Sequence, residues 1–378
     1  MKIRLIILLS LHCVLHEVAA QSSIKGEIRR ISANEHDSSV WLASDAGIVY
    51  RTKNFSSDLK PILTLPEPKA SYFGDKTISL EFISFFNRDT LFISGYLGDD
   101  LIGKERNETN KIFRSVDGGM HWETVPFCTK GIWVYDILLK KNGTAVLGGS
   151  DGKLYDSRDF GASWKKLSSP FNDKTRMACL DERNGIGLVG ALGNNLKLSR
   201  DGLKSFSSIE TPSDQKAYIF SKEARQQHAI RDECSHIQFI NDSVVLMGQE
   251  NFVFSSNIHK IDWKRFSPEL TRFSFDPTKG IVVGLTADNK VVSFNSALQF
   301  DKEVVQLNAD EHLIDMEALN GNIYLLSSKY FPQEKGEDVV GTFGSMQMVR
   351  VGYRKVSHYI VYRINKEGIK RLEISVGK

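Results

Sequence analysis

The feature that most constrains this chain is a turn that recurs at fixed spacing. Ser115-Val-Asp117-Gly-Gly-Met-His-Trp122, Ser157-Arg-Asp159-Phe-Gly-Ala-Ser-Trp164 and Ser199-Arg-Asp201-Gly-Leu-Lys-Ser-Phe206 share the form S-x-D-x-x-x-x-aromatic. Their serines are 42 residues apart, because 157 − 115 and 199 − 157 both equal 42. Weaker copies stand at Thr52-Lys-Asn54, at Ser255-Ser-Asn257 with Trp263 one place late, and at Ser293-Phe-Asn295 with Phe300 in register. A repeat of this length is one supersecondary unit, stacked many times to bury a shared core.

The surroundings of each copy say which unit it is. Two alternating apolar runs precede the turn, as in Ile132 to Leu139 and Thr144 to Gly149, separated by the polar Lys140-Lys-Asn-Gly143. A third run, Lys153 to Ser157, leads into the turn and a fourth, Trp164 to Leu167, leaves it. Four short antiparallel strands per unit at this period predict the blade of a β-propeller. The template fits seven units, at 27–65, 77–127, 132–170, 176–212, 234–270, 271–307 and 314–378. The expectation is an all-β, seven-bladed propeller of four-stranded antiparallel blades; six blades follow if one weak unit is merged or discarded. Glycine (29) outnumbers proline (9), which suits many tight turns between unbroken strands.

Residues 1–20 read as a cleaved signal peptide: Lys2 and Arg4 are basic, Leu5 to Leu15 is apolar but too short to span a bilayer, and Val18-Ala19-Ala20 offers small residues before Gln21. Residues 21–378 then form a single propeller domain, secreted or periplasmic, with no transmembrane segment. A net charge of +3 from 49 Lys+Arg and 46 Asp+Glu excludes a nucleic-acid partner on electrostatic grounds. Beyond Cys13, the cysteines are Cys128, Cys179 and Cys234, so at most one disulfide forms, and three buried thiols are the equal alternative. With no C-x-x-C and scattered histidines, neither a metal nor a cofactor is expected.

The S-x-D-x-G-x-x-W form, complete in Ser115 to Trp122 and in Ser157 to Trp164, resembles the Asp-box, or bacterial-neuraminidase repeat. The resemblance covers about residues 27–307 and implies structural roles. The Asp accepts hydrogen bonds from the turn backbone, Gly supplies a positive φ, and the aromatic packs over the hairpin. These roles fall on Ser115, Asp117, Gly119 and Trp122, on Ser157, Asp159, Gly161 and Trp164, and on Ser199, Asp201 and Phe206. Leu203 replaces Gly in the third copy, so that turn is expected to differ. Among bearers of the repeat, the chain is most similar in style to the single-propeller photosystem II assembly factor-like family, which implies protein binding. Sialidases share the repeat too, and Arg30-Ile31-Ser32 weakly matches their early Arg-Ile-Pro. Two further clamping arginines and a Tyr–Glu pair are not selected by anything in the sequence. Late Tyr353, Tyr359 and Tyr362 and the acids Glu81 and Glu269 are available.

Four insertions exceed the compact repeat: Pro66 to Lys76, Leu97 to Asn110, Ser213 to Glu233 and Lys329 to Ser357. All join strands on the face opposite the repeated turns, and long loops on a rigid scaffold are where binding resides. The candidate binding residues are Tyr72, Phe73, Asp99, Asp100, Lys104, Lys216, Tyr218, Arg225, His228, Arg231, Arg350, Tyr353 and Arg354, with Phe331 and Lys355 beside them. A short helix over Ser221 to Arg231 fits the spacing of Ala224 and His228. The expected function is non-catalytic binding or assembly with a protein or glycan partner; the alternative is a sialidase-like glycoside hydrolase.

Overall fold

The computed structural model describes residues 18–53, 55–56, 58–65, 78–97, 110–125, 132, 134–140, 142–172, 175–191, 195–211, 234–249, 252–330, 339–343, 346–350 and 356–376. Their regular structure is all β-strand. After β1 (Val18–Ile24), blade 1 holds β2 (Ile28–Ala33), β3 (Val40–Ser44), β4 (Ile48–Thr52) and β5 (Lys60–Thr64). Blade 2 holds β6 (Ile78–Phe85), β7 (Leu91–Leu97), β8 (Asn110–Ser115) and β9 (Glu123–Thr124). Blade 3 holds β10 (Val134–Leu139), β11 (Ala145–Gly149), β12 (Leu154–Ser157) and β13 (Lys165–Ser168). Blade 4 holds β14 (Met177–Arg183), β15 (Ile186–Ala191), β16 (Asn195–Ser199) and β17 (Ser207–Ile209). Blade 5 holds β18 (Cys234–Phe239), β19 (Val244–Gln249), β20 (Phe252–Asn257) and β21 (Lys260–Arg265). Blade 6 holds β22 (Leu270–Asp276), β23 (Ile281–Thr286), β24 (Lys290–Asn295) and β25 (Phe300–Gln306). Blade 7 is built from β26 (Glu311–Leu319), β27 (Asn322–Tyr330), β30 (Val356–Asn365) and β31 (Gly368–Val376), and the connection from β27 to β30 carries a hairpin of β28 (Val339–Phe343) and β29 (Met346–Arg350).

Each blade is an antiparallel meander, and β26 of blade 7 lies against β2 of blade 1, so the sheets close into a seven-bladed propeller. Seven blades, rather than six, follow because each of the seven units forms a sheet of its own. Blades 1 and 7 exchange no strand of the meander. The seam between them is closed by one apolar cluster in which Ile28, Ile31, Val40 and Leu42 pack with Tyr324, Leu326, Tyr359, Leu372 and Ile374. Unforeseen is β1, which adds a fifth strand to blade 7, parallel to β31.

The three strong turns share one hydrogen-bonding pattern. In the first, Asp117 Oδ1 accepts from the Ser115 hydroxyl at 2.8 Å and from the N–H groups of Met120 and His121 at 3.0 and 2.9 Å. The Ser115 Oγ in turn accepts from the Gly119 N–H at 2.8 Å, and the Trp122 indole donates to the Gly119 carbonyl at 3.1 Å. Asp159 and Trp164 repeat these bonds in blade 3. The donors hold both carboxyls down at about 2, foremost the His121 N–H for Asp117 and the Ser163 hydroxyl for Asp159.

The third turn keeps the same Ser and Asp bonds and lacks only the indole bond, because Phe206 has no N–H, which corrects the expectation raised by Leu203. Leu203 adopts φ +67° and donates its N–H to Ser199 Oγ at 2.9 Å, as Gly119 and Gly161 do at φ +87° and +74°. The cause is packing across the blade boundary. A Cβ on Gly119 would stand 2.6 Å from the ring of Trp41, and one on Gly161 would stand 2.2 Å from the ring of Phe92. Trp41 and Phe92 are the second residues of β3 and β7; the second residue of β11 is the smaller Val146, which shares a buried cluster with Leu203. Where the neighbour shrinks, the turn residue grows, and burial of leucine offsets the roughly 1 kcal/mol cost of a left-handed residue. Leu203→Gly is therefore expected to destabilise the protein by about 2 kcal/mol in urea unfolding, and Val146→Phe is expected to recover part of that loss when added to it.

Candidate binding face and axial channel

The innermost strands β2, β6, β10, β14, β18, β22 and β26 present their unpaired edges to the propeller axis. Each pairs with its second strand through a register shift near its start, for example between Ile28 and Arg30, Val134 and Asp136, and Leu313 and Asp315. Such bulges bend a strand and re-aim the side chain that follows. The residues that follow are Arg30, Phe82, Asp136, Cys179, His236, Arg272 and Asp315. Five of these are charged or ionisable, and they act on one another across blades: Arg30 on Asp136, Arg272 and Asp315, and His236 on Asp136.

The acids also link neighbouring blades. Asp136 accepts from the Leu180 N–H of blade 4 at 2.9 Å, and Asp181 accepts from the Phe239 N–H of blade 5 at 2.7 Å. At the closing seam Asp315 accepts from the Ile31 N–H at 3.0 Å and Glu317 from the Ala33 N–H at 2.6 Å. These donors lie on innermost strands, where no further strand can pair with them, so a neighbouring carboxylate satisfies a backbone group that burial would otherwise leave orphaned. Burial exceeds what the amides return: it pushes Asp181 up to about 7 and Glu317 to about 8, and raises Asp136 and Asp315 as well. Arg272 donates to the Ile314 carbonyl of blade 7. A disulfide between Cys179 and Cys234 ties β14 to β18, its Cα atoms 6.5 Å apart, and settles the cysteine alternatives in favour of one bond.

Strand direction places these groups. Every innermost strand enters from the face opposite the repeated turns, so Arg30, Asp136, His236 and Arg272, each third in its strand, lie toward that face. The same face receives all four long connections. Of the candidate binding residues, Tyr72, Phe73, Asp99, Asp100, Lys104, Lys216, Tyr218, Arg225, His228, Arg231, Tyr353 and Arg354 lie outside the described residues, as do Phe331, Lys355 and the expected helix over 221–231. Arg350 ends β29, opposite Val339. On the other face, Arg183 pairs with Asp242 at 2.6 Å between the short first turns of blades 4 and 5.

The parts of a sialidase-like site do not assemble among the described residues. Arg30 and Arg272 approach the axis, whereas Arg51, Arg114, Arg158 and Arg265 pair with acids elsewhere. Tyr362 donates its hydroxyl to Glu311 at 2.7 Å, yet Glu311 is fully buried, and burial raises the Tyr362 phenol away from the phenolate. Tyr359 is also fully buried and likewise raised. Glu269 pairs with Arg265. Among the described residues no cluster of His, Cys, Asp or Glu is placed to hold a metal ion, and no helix is long and apolar enough to cross a membrane.

Apart from Arg30, the charged axial residues were not singled out in the sequence. Their signal was present in some first strands as one charged residue within an apolar run, as in Val134-Tyr-Asp136-Ile and Leu313-Ile-Asp315-Met.

No family model matches the chain, and no curated protein sequence does. Solved structures do share the fold. YCF48 bound to D1 peptide is similar with TM-score 0.55 at 15% identity, over 80% of this chain and 90% of that one. YCF48 from Cyanidioschyzon merolae is similar with TM-score 0.55 at 13% identity, over 82% and 95%. The GH74 xyloglucanase from Xanthomonas campestris reaches TM-score 0.59 at 11% identity, covering 95% of this chain but 56% of that one. At these identities the likeness is one of architecture, a propeller that in other proteins serves both peptide binding and hydrolysis.

Proposed function

We propose that this chain is a secreted or periplasmic, non-catalytic β-propeller that binds a protein or glycan partner through the face opposite its repeated turns. The observation that carries the reading is positional. The mixed-charge axial residues and all four long connections share that face, whereas the opposite face is made of short turns whose polar groups are spent on one another. The loop residues Tyr72, Phe73, Arg225, Arg231, Tyr353 and Arg354 supply aromatic and arginine anchors of the kind that dominate interface energies, and Asp99 with Asp100 supply complementary charge. The Asp-box reading of the turns makes their aspartates structural. The Cys179–Cys234 bond supports an oxidising compartment, the kind that the leader reading of residues 1–20 calls for. The peptide seen on YCF48 is a precedent for such a propeller recognising an extended protein segment.

Catalysis tests the reading first. Incubated with a fluorogenic sialoside and with xyloglucan, the protein is expected to leave both intact over hours. Turnover that disappears in Arg30→Ala would overturn the proposal in favour of a glycoside hydrolase.

A further inference from the structure

The fifth strand of blade 7 occupies an edge that the other blades leave bare. The outermost strands β5, β9, β13, β17, β21 and β25 have 5, 2, 4, 3, 6 and 7 residues, against 9 in β31. Short outer strands blunt a sheet edge, because they present few unpaired N–H and C=O groups to another chain. The long edge of β31 is covered instead: β1 runs parallel to it, with Val18 opposite Leu372, Ala19 opposite Glu373, Ala20 opposite Ile374 and Ile24 opposite Val376. Three of those four pairings lie before the cleavage point after Ala20. Cleavage removes Val18, Ala19 and Ala20 and leaves the backbone edge of Leu372, Glu373 and Ile374 without its partner strand, while the side chains of Leu372 and Ile374 stay in the apolar seam with blade 1.

We propose that, in the processed protein, the outer edge of β31 is a docking edge that captures an extended segment of a partner protein as a parallel fifth strand. The inference rests on the secretion and cleavage reading above. The leader's own end defines the occupant's chemistry: an unbranched or β-branched small apolar residue opposite Leu372 and another opposite Ile374, with extended backbone between them at Glu373. Backbone hydrogen bonds provide affinity in strand addition, and alternate side chains provide selectivity.

The test compares two recombinant proteins of defined start, one beginning at Glu17 and one at Gln21, by hydrogen exchange. Amides of β31 are expected to exchange at least about tenfold faster in the protein beginning at Gln21, and to slow again with a synthetic peptide of residues 16–24 at roughly 1 mM. Register is read independently. An Ala19→Cys peptide is expected to form a disulfide with Glu373→Cys and to spare a cysteine introduced at Lys370. Equal exchange in the two proteins, no slowing by the peptide, or crosslinking at position 370 in place of 373 would each overturn the docking edge. The mass of the naturally exported protein addresses the underlying reading separately: a terminus at Gln21 supports it, and retention of residues 18–20 removes both cleavage and the vacated edge.

Discussion

Replacing Cys179 and Cys234 together by alanine is expected to lower the unfolding free energy by about 4 kcal/mol, the largest single loss the structure predicts. The bond closes a loop of 55 residues, and most of its effect is to restrict the unfolded chain. Its position makes the loss local in origin. Cys234 opens β18, immediately after the connection of residues 212–233, so the bond fixes the end of that connection to the innermost strand of blade 4. Packing has adapted to it, since a Cβ at Gly190 would lie 2.5 and 2.8 Å from the two sulfurs. Urea unfolding with and without reductant checks the claim. Wild type under reductant should approach the double-alanine protein, and a double-alanine protein as stable as oxidised wild type would show that the thiols do not pair.

The second large effect is a pH dependence with its sign set by burial. Glu317 is raised in the folded protein from an ordinary 4.5 to about 8, so between those values the native state holds a proton that the unfolded state has released. Stability therefore falls as pH climbs through this window and is flat above it. The folded state thereby forgoes on the order of 4 kcal/mol at pH 9 relative to pH 4. Glu317→Gln keeps an acceptor for the Ala33 N–H and carries no charge, so it is expected to cost little at pH 5 and to stabilise by on the order of 3 kcal/mol at pH 9. Asp181→Asn should behave alike over a lower window, from 3.8 to about 7. Denaturant midpoints of each variant and wild type at pH 5, 7 and 9 decide it; a Glu317→Gln effect independent of pH would mean that the carboxyl is ionised and solvated in the native ring. The acids of the repeated turns slope the other way. Asp159, held at about 2 by hydrogen bonds to its charged form, contributes stability above 3.8 that is lost as pH falls toward 2.

What could be read in the sequence follows from what repeats. The blade boundaries were visible because each unit repeats the same alternation and, in three copies, the same Ser and Asp at a spacing that only a constant supersecondary unit maintains. The structural role of Asp117 and Asp159 was equally legible, since hydrogen bonds within a turn depend on residues a few places apart. Leu203 was misjudged because its tolerance of a positive φ depends on Val146 in another blade, a contact no local pattern records. The inter-blade acids were missed for the same reason. Asp315 and Ile31 are 284 residues apart, and only ring closure brings them together. Arg30 was noticed as part of a weak motif, but its neighbours Arg272, Asp136 and Asp315 come from three other blades. The preference for one face came from loop lengths and topology, which antiparallel connectivity converts directly into geometry.

The most direct test of the account is where partners touch the ring. Amine-reactive crosslinking of the protein in its native surroundings, followed by peptide mass spectrometry, distinguishes the faces because both carry lysines. The account predicts intermolecular links at Lys104, Lys216 and Lys355 in the long connections, with none to the same partner after residues 331–355 are replaced by a short turn. Links concentrated instead at Lys53, Lys204 and Lys279, in the turns of the opposite face, and unaffected by that replacement, would contradict it.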